Sequence, residues 1–253
     1  MRTGLLAAIL SIGIAMYAAD GGAAEIRVLS IPLKGPLDLI APSFERTSGH
    51  KLTVKYAPSE QLRKQIDAGE SFDVVLIFPQ VVDELTKRGK VLAGTRVDFA
   101  RAGLGLAVKK GAARPDIRTT DAFKRVLLAS TSIAYAAQGP SGVHLASVLE
   151  RLGIAQDVKP RLRPMGAGSL VAGPVARGEV EIGIVAIPFI LGEPGTELVG
   201  PLPRELQDYV RYSSGIGHAA EDASAARTFV DYFKSPASIE ALKSNGLEIA
   251  TAE

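Results

Sequence analysis

The residues of this chain that could do chemistry are few, mostly neutral, and gathered at junctions between apolar runs and helix-like patterns. Four such junctions stand out, at residues 32–35, 57–59, 138–142 and 166–169. Between them they offer the hydroxyls of Ser59, Ser141 and Ser169, the ammonium of Lys34, and the backbone N–H groups of a starting helix. Unpaired N–H groups at a helix start attract negative charge, so this set suits reversible capture of a small anion. Each residue also has a plainer use. A serine before a helix is what an N-cap requires, Gly166 and Gly168 shape turns, and a turn lysine is ordinarily solvated. Tyr135 lies mid-strand, His144 reads as a surface residue, and Arg63 and Lys64 read as solvated helix charges.

Bond-making chemistry is poorly represented. The chain has no G-x-S-x-G elbow and no H-E-x-x-H, and "GAGSLVAG" is neither a Walker loop nor a dinucleotide fingerprint. Asp38, Asp73 and Asp83 are candidate acids, but nothing in one sequence pairs them. With no cysteine and three histidines, at 50, 144 and 218, thiolate chemistry is excluded and a histidine-rich metal site is not expected. The expectation is a binding protein without catalytic residues, cofactor or metal.

The elements that must position these groups follow from periodicity. Residues 25–31, 51–57 and 72–78 read as strands; the last is continuously apolar, as in a parallel strand covered on both faces. Helical spacing of Leu37, Ile40, Ala41 and Phe44, of Leu62 and Ile66, and of Val82 and Leu85 fills the gaps, with Gly49, Gly69 and Gly89 as stops. Residues 132–137 and 181–187 repeat the strand pattern, and Leu145, Val148, Leu149 and Leu152 share one helix face. Residues 209–217 read as extended, followed by two C-terminal helices. This rhythm predicts α/β architecture with right-handed crossovers, arranged as two lobes joined by crossing strands. Ligands of such sheets bind beyond the carboxyl ends of the strands, where the four junctions lie.

Length and charge set the outer bounds. The 253 residues suffice for two small lobes with proper cores, and a formal charge of +2 gives no reason to expect nucleic acid as a partner. At the N-terminus one arginine precedes an apolar stretch, 5–19, and a small-residue exit, "DGGAAE". That pattern predicts a secretory signal over residues 1–24 and a periplasmic mature protein. The apolar run is short of the roughly 20 residues that span a bilayer.

Residues 56–77, "YAPSEQLRKQIDAGESFDVVLI", closely resemble the molybdate-binding periplasmic proteins of ABC transporters. Ser59, Leu62, Gln65, Ile66, Gly69, Asp73 and Val74 fall on that family's pattern, and "FARAGLGLAVKKG", "GVHLASVLERLGI", "VARGEVEIGIV" and "FVDYFKSPASIEALKSNGLE" extend the likeness over nearly all of the mature chain. The resemblance implies a type II periplasmic binding fold, with lobe 1 at 25–105 plus 212–253 and lobe 2 at 106–211. It also implies an inner-membrane ABC permease as partner and a monomer that closes about a hinge. Carried across, the anion cage would comprise Ser59, a loop with Ser141 and Gly142, and a turn with Gly168 and Ser169. Pro32, beside Leu33 and Lys34, takes the place of the family's first serine, and Ala186-Ile187-Pro188 replaces its tyrosine. Proline has neither hydroxyl nor N–H, so donors vanish from the cage. Hydrogen bonds to a charged group are worth about 1.5–3 kcal/mol each, enough to cost ~100-fold in affinity if several are lost. The resemblance therefore implies a small anionic solute other than molybdate, a carboxylate or another oxyanion, in a pocket walled by Leu33, Ala57 and Ile187. The alternatives are a true molybdate or tungstate carrier with rearranged donors, or a periplasmic sensor or enzyme on the same scaffold.

Overall fold

Short apolar runs followed by amphipathic stretches build the first half of the protein as a repeated strand–helix unit. Its elements are β1 (Glu25–Ser30), α1 (Lys34–Ser48), β2 (Lys51–Tyr56), α2 (Ser59–Asp67), β3 (Val74–Ile77) and α3 (Pro79–Lys87). Every residue of β3 is buried, whereas β2, at the sheet edge, alternates between exposed and half-buried positions. β1 pairs in parallel with both β2 and β3, so α1 and α2 are crossover helices. The structure, a computed structural model, describes residues 22–250. Most of the expected signal segment lies outside the described residues. Among those described, no helix is long and apolar enough to cross a membrane.

A long strand, β4 (Val97–Lys109), carries the chain into the second half. There α4 (Thr120–Ala129), β5 (Ile133–Ala136), α5 (Pro140–Arg151), α6 (Ala155–Val158), β6 (Leu162–Met165), α7 (Ala172–Arg177), β7 (Ile182–Ala186), α8 (Ile187–Leu191) and β8 (Thr196–Pro201) follow in order. The chain returns through β9 (Tyr209–Ile216), α9 (Ala223–Tyr232), α10 (Pro236–Ser244) and β10 (Glu248–Ile249). The strand order is β2-β1-β3-β9-β4-β7-β5-β6, with β8 and β10 also paired to β4. Two α/β lobes thus share β4. Its residues Val97 to Gly103 pair with β9, and Leu104 to Val108 pair with β7.

The crossing point has an unusual construction. Along β4, Gly105 faces Pro201 of β8 and Gly103 faces Tyr209 of β9, so residues 202–208 loop out opposite Leu104. The Gln207 carboxamide replaces the missing strand. Its Oε1 accepts from the Leu104 N–H at 2.8 Å and its Nε2 donates to the Leu104 carbonyl at 2.9 Å. The Leu202 N–H donates to the same carbonyl at 3.0 Å. No polar group of Leu104 is left open, although the regular ladder stops there.

The returning chain completes the first lobe. Phe44 of α1 packs against Phe229 and Tyr232 of α9 with ring centroids 5.1 and 5.4 Å apart. Asp73, only 1% exposed, ties the same lobe together. It accepts from the Arg27 backbone at 2.7 Å, from Arg27 Nε and Nη2 at 3.0 and 3.1 Å, and from the Glu221 N–H at 2.9 Å. One expectation about surface residues is corrected here: His144 is no surface residue. Its side chain is 11% exposed, with Nε2 2.7 Å from the Leu206 carbonyl and Nδ1 3.5 Å from Asp208.

Candidate ligand cleft

Turns at the carboxyl ends of β1, β2, β3, β5 and β6 meet around one cavity of about 160 Å³ between the lobes. Ile31 and Pro32 follow β1; Pro58, Ser59, Glu60 and Arg63 belong to the start of α2; Phe78, Gln80 and Val81 open α3. From the second lobe come Gln138 and Gly139 ahead of α5, the turn from Gly166 to Ser169, and Phe189 of α8. Parallel strands force this convergence, because every crossover leaves its strand on the same side.

The polar offer is mostly donors. The first backbone bond of α2 is Leu62 N–H to the Pro58 carbonyl at 3.0 Å, so the N–H groups of Ser59, Glu60 and Gln61 have no acceptor within the helix. In α5 the first is Val143 N–H to Gly139 at 3.4 Å, which leaves Ser141 and Gly142 in the same position. Gln80, Gln138 and Arg63 lie on the wall, and Glu60 is its one acidic residue. Phe78, Phe189, Ile31 and Val81 make the apolar part. Behind Phe78 lies Tyr212, its ring 6.1 Å away, fully buried and with no partner for its hydroxyl. Burial pushes that phenol far above its usual range, so it stays a neutral donor.

The serines do not cap their helices. Pro58 is the N-cap of α2 and Ser59 its first residue; Gly139 is the N-cap of α5 and Ser141 its second residue. Ser169 sits inside a single 3₁₀ turn, Gly168–Leu170, and none of these three segments has a side-chain capping bond. The plain explanation for serine at these places therefore does not hold.

Of the residues singled out in the sequence, the structure brings Pro32, Ser59, Gly168 and Ser169 together on the cavity wall. Ser141, 6% exposed, and Gly142 lie beneath the α5 end of the site rather than on its lining. Leu33 and Lys34 line an adjoining groove that shares Pro32, Ser169 and Phe189 with the cavity. There Lys34 Nζ pairs with Asp38 at 2.6 Å, and both side chains are more than half exposed, at 71% and 54%. Such pairs contribute little. Lys34→Ala is expected to leave the melting temperature within about 1 °C and anion affinity within about twofold, checked by calorimetry on both proteins. Ala57 is buried in the core of the first lobe, and Ile187 lines a groove at the crossing point with Gly103, Gln207 and Tyr209.

Glu60, Gln80, Phe78 and Phe189 carry no sequence signal that singles them out, Gln138 comes from the expected 138–142 junction, and Arg63, expected as a solvated helix charge, lies on the wall instead. A signal for Arg63 was present: it lies four residues after Ser59, and side chains four apart share a helix face.

Comparison with known proteins agrees with this architecture. Residues 27–248 match the family model described as bacterial extracellular solute-binding protein. A Pseudomonas protein named aconitate isomerase is 30% identical over 227 residues, covering 87% of this chain and 86% of that one. The molybdate-binding protein of Azotobacter vinelandii is 28% identical over 247 residues, covering 94% and 95%. The solved structure of the Azotobacter vinelandii periplasmic molybdate-binding protein superposes with a TM-score of 0.75 at 20% identity, covering 90% of this chain and all of that one.

Proposed function

The chain belongs to the bacterial extracellular solute-binding protein family, and from that premise we propose that it captures a small anionic solute in the cleft and delivers it, from the periplasm, to an inner-membrane ABC permease. One observation carries the reading. Ser59 from the first lobe and Ser169 from the second share one cavity, and no capping bond engages either hydroxyl. Beside them stand helix N–H groups with no acceptor in their own helix. An anion bridging the two lobes would satisfy both sets at once. It would favour the closed form by whatever it binds more tightly there. The lobes in this reading are 25–105 plus 212–253 and 106–211, moving about Gly103 and Leu104 of β4, and the protein acts as a monomer.

Pro32 argues for the cargo being something other than molybdate. It stands on the cavity wall and donates nothing. A small carboxylate suits the remaining mixture of amide, hydroxyl and apolar groups better than a tetrahedral oxyanion that needs donors on every side. Thermal shift over a panel of carboxylates, sulfate, tungstate and molybdate tests the reading. At a hundredfold excess over Kd a ligand adds about 2.7 kcal/mol, a rise of roughly 5–10 °C for a chain of this size. A melting temperature unmoved by every small anion would sink it.

The name of the 30% identical relative supports a second reading, in which the bound acid is also isomerised. Interconverting cis and trans double-bond isomers of such an acid needs a base that removes a proton and returns it elsewhere. Glu60 is the carboxylate on this wall. Proton NMR of cis- and trans-aconitate incubated with the protein separates the readings. A pure carrier leaves both isomers unchanged, while interconversion that disappears in Glu60→Gln makes the protein an enzyme.

A further inference from the structure

The geometry points to Arg63 as the residue that sets ligand class, by gripping a planar carboxylate along one edge of its guanidinium; this rests on the anion-binding reading above. The argument begins with how this protein uses its other arginines. Arg27, Arg118 and Arg177 each present Nε and Nη2, the side edge of the guanidinium, to one carboxylate. The distances are 3.0 and 3.1 Å to Asp73, 2.9 and 2.9 Å to Asp116, and 2.6 and 2.9 Å to Glu179. Two parallel N–H donors match the two oxygens of a carboxylate, which is why this pairing recurs.

Arg63 departs from that pattern. Its closest acidic neighbours, Glu60 and Glu84, approach through Nη1 at 3.7 and 3.5 Å, at or beyond the limit of a hydrogen bond. Its Nε is buried and has no partner. A buried N–H without an acceptor is costly, so such groups persist where something else meets them. Here the residue lines the cavity, one helical turn beyond Ser59 and on the same face of α2. The two glutamates flank the Nη1 end, and no acceptor of the protein meets Nε on the side edge. A planar carboxylate fits that edge in both oxygens. A tetrahedral oxyanion can also accept from it, but it would then lack donors at the Pro32 side of the cavity.

Isothermal titration with trans-aconitate, citrate and succinate as carboxylate probes, and molybdate as the tetrahedral probe, decides the matter on wild type, Arg63→Lys and Arg63→Gln. Arg63→Gln should lower affinity for the best carboxylate probe by about 30–100-fold, the loss of charge-assisted hydrogen bonds. Arg63→Lys should recover only part of this, since an ammonium is a point charge without the two-donor edge. Because Arg63 is partly exposed, all three proteins should melt within a few degrees of one another. Arg63→Gln binding the carboxylate within threefold of wild type overturns the inference and leaves the anion reading standing. So does a wild type that prefers molybdate to every carboxylate. A wild type that binds none of the four probes overturns the carboxylate inference, and the anion reading falls with it when sulfate and tungstate also leave the melting temperature unmoved.

Discussion

Asp73→Ala is expected to destabilise the protein by about 3–5 kcal/mol and to lower its melting temperature by roughly 10 °C, measured by calorimetry or circular dichroism. The carboxylate is 1% exposed and accepts four hydrogen bonds, from both parts of Arg27 and from the Glu221 backbone. Removing it strips the Arg27 guanidinium of its bidentate partner and leaves two backbone N–H groups without an acceptor. It also unties the start of β3 from β1 and from the turn before α9. The same group gives a pH dependence of known sign. Burial alone would push the Asp73 carboxyl up, but the bonds from the Arg27 side chain and backbone and from the Glu221 N–H outweigh it and hold the carboxyl below its ordinary value. A depressed acid stabilises the fold fully above the ordinary aspartate range, near pH 4. That stability is lost as pH falls through the lower, folded value. Acid melting curves of wild type should therefore steepen below about pH 4, and those of Asp73→Asn should steepen less. Equal acid sensitivity in the two proteins would contradict the assignment.

Gly142→Ala is the second large effect, and it should strike binding as well as stability. A Cβ at this position would lie 1.8 Å from the Ala136 carbonyl oxygen, at the end of β5. The obstacle is backbone, so no side-chain rotation relieves it. The start of α5 must lift away from the strand, at a cost of about 3 kcal/mol, the upper end of what overpacking exacts. Gln138 and Gly139, on the cavity wall, connect that strand to that helix and would move with it. Affinity for whichever anion the wild type binds should fall at least about tenfold. A variant with unchanged affinity would mean that the α5 end of the site contributes nothing to the ligand.

These two positions show what the sequence conveys and what it withholds. Strands and helices were legible because their signals are local. The apolar run at β3 is buried throughout, Pro79 opens α3, and Gly49, at φ 77°, closes α1. The general location of the cleft was legible too, since a parallel sheet fixes which ends of its strands carry loops. Which side chains enter the cleft was not. Lys34 turned out to be the first residue of α1, and one residue of register at a helix start rotates a side chain by about 100°. Its pairing with Asp38 was readable as a lysine and an aspartate four apart. Asp73 stood out as an acid, but its partner Arg27 is 46 residues away, on a strand that becomes its neighbour only in the folded sheet. The serines appeared to be caps because residue type alone favours that use. The caps instead lie one or two residues earlier, at Pro58 and Gly139, and leave the hydroxyls uninvolved in capping.

The return of the chain to its first lobe has a consequence for the order of assembly. β9 lies between β3 and β4, and α9 packs on α1, so the first lobe's sheet has a gap until the last sixth of the polypeptide is present. The second lobe's β5, β6 and β7 come from one uninterrupted stretch. As synthesis releases the chain from its N-terminus, β1 to α3 emerge first yet must wait, while the later-made lobe can close on its own elements. The half of the protein that is made first is thus the half that matures last, and a chain cut short before β9 would leave β3 as an open, fully apolar edge.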